Sequence, residues 1–184
     1  QQALKIAQEI GNQWGEGASL NILGLAYFDL GETRKAIEFY EQALAIAKEI
    51  GDRRSEGATL GNLGNAYKNL GEPRKAIEFH QQALKIAQEI GDREGEGGDL
   101  GNLGNAYADL GEPRKAIEFY EQALKIAQEI GDRRNEGGLL GNLGNGYFYL
   151  GEPRKAIKLH EQALAISSEI GDRRIEGNAL VNLG

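Results

Sequence analysis

The segment Gly61–Ile90 returns almost letter for letter at Gly101–Ile130 and, with a few changes, at Gly141–Ile170. A looser copy runs from Asn21 to Ile50. A Gly followed by Asp or Asn punctuates the repeat at 11, 51, 91, 131 and 171, so the period is 40 residues. A unit this short cannot bury its apolar face alone and must stack on its neighbours, which makes a solenoid rather than a closed core. We therefore expect one continuous array over 1–184. It comprises a half-repeat at 1–10, full repeats at 11–50, 51–90, 91–130 and 131–170, and a half-repeat at 171–184.

The local signals inside 51–90 are helical. Gly51 suits the left-handed end of one helix, and Asp52 suits the N-cap of the next. Leu60, Leu63, Tyr67 and Leu70 follow at three- and four-residue spacing, one face of a helix. Gly71 stops that helix. Glu72-Pro73 opens another, where the missing proline N–H costs nothing. The second helix carries Ala76, Ile77, His80, Ala83, Leu84, Ala87 and Ile90 on a broad face, with Phe79 and Ile86 to its side. So wide a stripe touches two neighbouring helices. Loops of two or three residues force antiparallel neighbours, so each repeat is a helical hairpin, A then B. Extended along the chain, the pattern predicts about ten helices of about 18 residues at full length, including B at 2–10, A at 13–30 and B at 33–50.

Leu60, Leu63-Gly64, Tyr67, Ala76, the aromatic position at 80 and Ala83 resemble the signature of the tetratricopeptide repeat (TPR), and the other copies match at the same offsets. Leu60 stands where the family usually has Trp. The family's closing Pro is absent because helix B runs on to Ile90, which marks the long-period subtype. The phrase Asn-Leu-Gly-Asn-Ala-Tyr, followed by Leu-Gly and Ile-Gly-Asp-Arg, is similar to arrays in Partner-of-Inscuteable (LGN-type) scaffolds, kinesin light chains and bacterial multi-repeat proteins. The resemblance covers the whole chain. It implies an all-α, right-handed superhelix without enzymatic activity or cofactor, whose concave groove receives an extended peptide.

On helix A, the face away from the core carries Asn62 and Asn65, Asn102 and Asn105, and Asn142 and Asn145. Residues three apart are neighbours on a helix surface. An amide both donates and accepts, so registered Asn pairs suit a guest backbone whatever its side chains. Gly61, Gly101 and Gly141 beside them permit close approach. Alternatively, these Asn residues bond neighbouring helices or face water. Arg54 and Arg134 sit near the start of helix A, where arginines can clamp carboxylates bidentately or pair with Glu56, Glu136 or Glu176 nearby. Trp14, the only tryptophan, is expected to be partly exposed, and Phe28, Phe148 and Tyr149 fall on or beside the groove face.

Other chemistries lack support. His80 and His160 take the positions of Tyr40 and Tyr120 on the packing face of helix B, so they fill space rather than bind metal or catalyse. Gly-Asn-Leu-Gly-Asn follows no strand and is not a nucleotide fingerprint. With no cysteine there is no disulfide or thiolate site, which fits a reducing, cytoplasmic setting. No apolar run is long enough to span a membrane. The net charge is −7, and residues 91–130 alone hold nine acids against Arg93, Arg114, Lys115 and Lys125. Such acidity argues against nucleic acid. The chain opens on Gln1 rather than Met, pointing to a fragment. Its unpartnered first helix B and last helix A raise a second expectation, head-to-tail self-association. The leading expectation is a peptide-binding scaffold. The alternatives are a structural, self-assembling or consensus-designed module and a sensor domain of a larger protein.

Overall fold

The computed structural model describes residues 2–183, so Gln1 and Gly184, the ends of the expected array, lie outside the described residues. Among those residues there are ten helices and no strand: α1 (Gln2–Glu9), α2 (Gln13–Asp29), α3 (Thr33–Ile50), α4 (Arg53–Asn69), α5 (Pro73–Ile90), α6 (Arg93–Asp109), α7 (Pro113–Ile130), α8 (Arg133–Tyr149), α9 (Pro153–Ile170) and α10 (Arg173–Leu183). Even-numbered helices are the A helices and odd-numbered ones the B helices. The chain falls into two units, Gln1–Gly95 and Glu96–Gly184. Each is an all-α stack of helical hairpins, the build of a repeat solenoid.

The turn chemistry acts as the sequence predicts. Gly51 closes α3 at φ 70° and Gly71 separates α4 from α5 at φ 72°, conformations that carry little cost only without a side chain. The Asp52 side chain accepts the Ser55 backbone N–H and so caps α4, worth about 1 kcal/mol. Pro73 occupies the first turn of α5.

In the first unit, Ala36, Ile37 and Tyr40 of α3 pack with Leu63 and Ala66 of α4. Leu60 of α4 packs with Ala83 and Ile86 of α5. Leu140, Ala163, Ile166 and Ala179 make the corresponding core of the second unit. α3 and α9 thus each touch their own A helix and the next one. The buried ring of each of α3, α5, α7 and α9 lies directly on an A-helix glycine. A methyl at Gly64 would come within 2.5 Å of His80 Nε2, and one at Gly144 within 2.5 Å of His160 Cε1. At Gly104 it would meet Tyr120 Cε1 at 2.4 Å. His80 and His160 are therefore packed rings in the places that Tyr40 and Tyr120 take in their own hairpins, as their alternation with tyrosine implied. Burial lowers the His160 pKa and pushes the Tyr40 phenol up to about 12.

One packing expectation needs correction. Ile90, assigned to the broad core face, is 41% exposed, whereas Ile86, assigned to the side, is 4% exposed. Gly57 makes the difference, because a methyl there would stand 3.0 Å from Ile86 Cγ2. The bare backbone admits Ile86 to the core, and Ile90 is left at the helix end.

Ion pairs tie the hairpins together. Arg53 donates to Glu56 Oε2 at 2.5 Å and also holds Glu89 at the far end of α5. Arg133 likewise holds Glu136, and it reaches Glu169 Oε2 at 2.6 Å. Gln128 Nε2 of α7 donates to Glu136 Oε1 at 3.0 Å. The first arginine of each doublet thus neutralises a carboxylate that is largely buried, where an unpaired charge would be costly.

Candidate functional site

The expected groove residues lie on the A helices, and their amides bond from one A helix to another. Asn62 Nδ2 donates to Asn21 Oδ1 at 3.1 Å in the first unit. In the second, Asn142 Nδ2 donates to Asn105 Oδ1 at 3.3 Å, and Asn182 Nδ2 donates to Asn145 Oδ1 at 3.2 Å. Asn105 Oδ1 also accepts the Tyr120 hydroxyl at 2.9 Å, so that oxygen is fully occupied. These bonds use one donor of Asn62, Asn142 and Asn182. They leave the Asn142 carbonyl and the Asn145 amide N–H groups without a bond to another described side chain.

The same helices frame a cleft of about 410 Å³ in the second unit. Gly138, Gly141, Asn142 and Asn145 line it from α8, and Asn178 and Asn182 line it from α10. Arg174 is the one ionised side chain along it, and Ala163 of α9 forms part of the floor. Methyls at Gly138 or Gly141 would meet nothing within 4 Å, so both glycines widen the cleft rather than relieve packing. Gly101 and Asn102 lie partly buried on α6, and a methyl at Gly101 would be 3.5 Å from Leu139 Cδ2.

In the first unit, α4 carries Gly61, Asn62 and Asn65, all partly buried, and Arg54, which is exposed. Arg134 Nε donates to Asp172 Oδ2 at 3.0 Å, which links α8 to the N-cap of α10 while most of the guanidinium remains in solvent. The Ile175 backbone N–H, ahead of Arg134, holds the Asp172 carboxyl below the usual carboxylate range. Phe148 and Tyr149 are exposed and meet edge to face at 6.2 Å between centroids, whereas Phe28 packs against the core.

Sequence reasoning missed a second cleft, of about 200 Å³, in the first unit at the same repeat positions. Trp14, Ala18 and Ile22 of α2 line it, facing Ala58 and Thr59 of α4. The signal was available, since Ile22 occupies the position filled by Asn62, Asn102 and Asn142 elsewhere. Among the described residues no group of three or more His, Asp or Glu side chains could hold a metal ion. No described helix is long and apolar enough to cross a membrane.

A family model described as tetratricopeptide repeat matches residues 1–49 and 54–129, and a second with the same description matches 139–174. No curated protein matches the sequence. Among solved structures, the chain is similar to BtubC (BKLC) from P. vanneervenii, with a TM-score of 0.86 at 25% identity over 99% of this chain and 78% of that one. It is also similar to a signal transduction ATPase with numerous domains (STAND) from Pyrococcus horikoshii that has a tetratricopeptide repeat sensor. That match has a TM-score of 0.88 at 26% identity and spans 98% of this chain but 28% of the other. A putative kinesin light chain repeat protein from Podospora anserina shares the fold, with a TM-score of 0.74 at 23% identity over 90% of this chain and 82% of that one.

Proposed function

Since the chain belongs to the tetratricopeptide repeat family, we propose that it is a non-enzymatic protein–protein interaction scaffold that holds an extended peptide along its A helices. The observation that carries this reading is the second-unit cleft. It is open, widened by Gly138 and Gly141, and edged by the free carbonyl of Asn142 and the free N–H groups of Asn145. A peptide backbone offers the complementary groups at every residue. Asn62, Asn65, Asn102 and Asn105, with Gly61 and Gly101, carry the same recognition on the other A helices. Arg54 in the first unit and the solvent-facing part of Arg134 in the second are the proposed partners for guest carboxylates. The bonds among the amides realise the alternative role for part of each pair, and the groove reading rests on the Asn142 carbonyl and Asn145 N–H groups that they leave over. The cysteine-free sequence supports a cytoplasmic setting.

A second reading has one observation behind it. The STAND relative carries a repeat sensor, and this chain spans only 28% of that protein. The same groove then serves as the sensor segment of a longer chain.

The test is selection of peptides from a displayed library of random 12-residue sequences against the intact array. Selected peptides should bind at least tenfold more weakly to the Asn142→Ala/Asn145→Ala variant, whose helicity by circular dichroism should be unchanged. Recovery of no binder, or equal binding to the variant, removes the groove reading.

A further inference from the structure

The two clefts occupy the same place in their hairpins but differ in chemistry. In the second unit the lining is amide-rich and its one ionised group is Arg174. In the first unit Trp14 stands at the position of Arg134, and Ile22 stands at that of Asn142. The floor there is Ala43, Ile46 and Ala47, and the one ionised lining group is the Asp52 carboxylate.

Trp14 and Asp52 line the same cleft, where Asp52 accepts the Ser55 backbone N–H and hydroxyl. Asp52 is the N-cap of α4, just as Asp172 begins the helix that Arg134 reaches. Trp14 stands at the repeat position of Arg134, which reaches Asp172, and it lines the cleft beside Asp52 with 64% of the residue in solvent. Asn21 Oδ1 and Asn62 Nδ2 bond to each other in the same unit, so amides and apolar floor belong to adjoining A-helix surfaces.

We propose that this first-unit cleft is a specificity subsite that takes one bulky apolar side chain of the guest, carried on an extended segment with a lysine or arginine next to it. The proposal rests on the groove reading and adds a sequence requirement to it. The volume suits a single large side chain. The lining has no cation and one carboxylate, Asp52, which favours a basic residue beside the apolar one. An aromatic ring with aliphatic neighbours and few polar groups is the composition of an interface anchor site.

The test uses the same displayed library on three full-length proteins: wild type, Trp14→Arg/Ile22→Asn and Asp52→Asn. The first variant restores residue types that other repeats already carry at these positions, and the second keeps a good N-cap while removing the charge. Wild-type binders should share one fixed Phe, Leu, Ile or Trp beside Lys or Arg, and should shift the emission of Trp14, the sole tryptophan, to the blue. They should bind Trp14→Arg/Ile22→Asn at least ~tenfold more weakly, the order expected for one buried apolar side chain. They should bind Asp52→Asn a few-fold more weakly. Binders without a fixed apolar residue, or with equal affinity for the first variant, overturn the subsite and leave the groove standing. No binders at all overturn both. Trp14 emission that shifts with protein concentration alone, together with dimer mass by light scattering, assigns the cleft to a second copy and overturns the peptide occupant.

Discussion

Replacing Gly98, Gly138 and Gly141 with alanine should stabilise the fold and weaken the groove together. Each lies within an A helix, and a methyl at any of them meets nothing within 4 Å. A helix-interior Gly→Ala change is worth about 0.8–1 kcal/mol, so the three give about 2.5–3 kcal/mol. For a chain of this size that raises Tm by about 5–12 °C. Gly104→Ala is the control, because its methyl would lie 2.4 Å from Tyr120 Cε1. That ring is 4% exposed and its hydroxyl is bonded to Asn105, so it has no room to retreat. Overpacking of this kind costs about 1–3 kcal/mol and outweighs or cancels the propensity gain. The assay is thermal and urea unfolding followed by circular dichroism at 222 nm, with peptide affinity measured on the same samples. The triple variant should melt higher yet bind selected peptides more weakly, because two of its methyls project into the cleft. A stabilising Gly104→Ala would refute the packing argument. Full peptide affinity in the triple variant would refute the role of the glycines in guest approach.

Two further outcomes follow from the packing. The His160 pKa is lowered by burial, so below the unfolded value of 6.5 the native state binds fewer protons than the unfolded state. Its stability contribution is therefore complete above pH 6.5 and is lost as pH falls toward the folded value. His160→Tyr, which restores the residue type at 40 and 120, should lose less stability than wild type between pH 7.5 and 5.5 in urea titrations. Identical pH slopes would contradict this. Hydrogen exchange provides the second check. Residues 93–101 hold one more glycine than 133–141, and roughly 1 kcal/mol per glycine should make their amides exchange about fivefold faster. Equal protection would show that packing overrides propensity there.

The division between what the sequence discloses and what it withholds follows a physical line. Features set by one residue and its chain neighbours were legible. Gly51 needed a left-handed backbone, Asp52 needed a free N–H three residues on, and His80 had to fill the space that Tyr40 fills. Features set by which residue stands opposite were not. Ile86 and Ile90 look alike on a helical wheel, and only the absence of a side chain on Gly57 sends one inward. The Asn pairs were visible as a spacing of three. Their bonds, from Asn142 to Asn105 and from Asn182 to Asn145, span 37 residues and follow from how one A helix registers against another. Trp14 looked like a solitary departure from the repeat. The intact copy shows what the ordinary residue does at that position, since Arg134 reaches Asp172. In a duplicated array, a departure gains physical content when the intact copies show what the ordinary residue does. Trp14 and Ile22 depart together on a face that is polar in the other hairpins, and they share one cleft. Two neutral substitutions would have no reason to converge there, which is why the first unit, rather than the more regular repeats, is where selectivity should be sought.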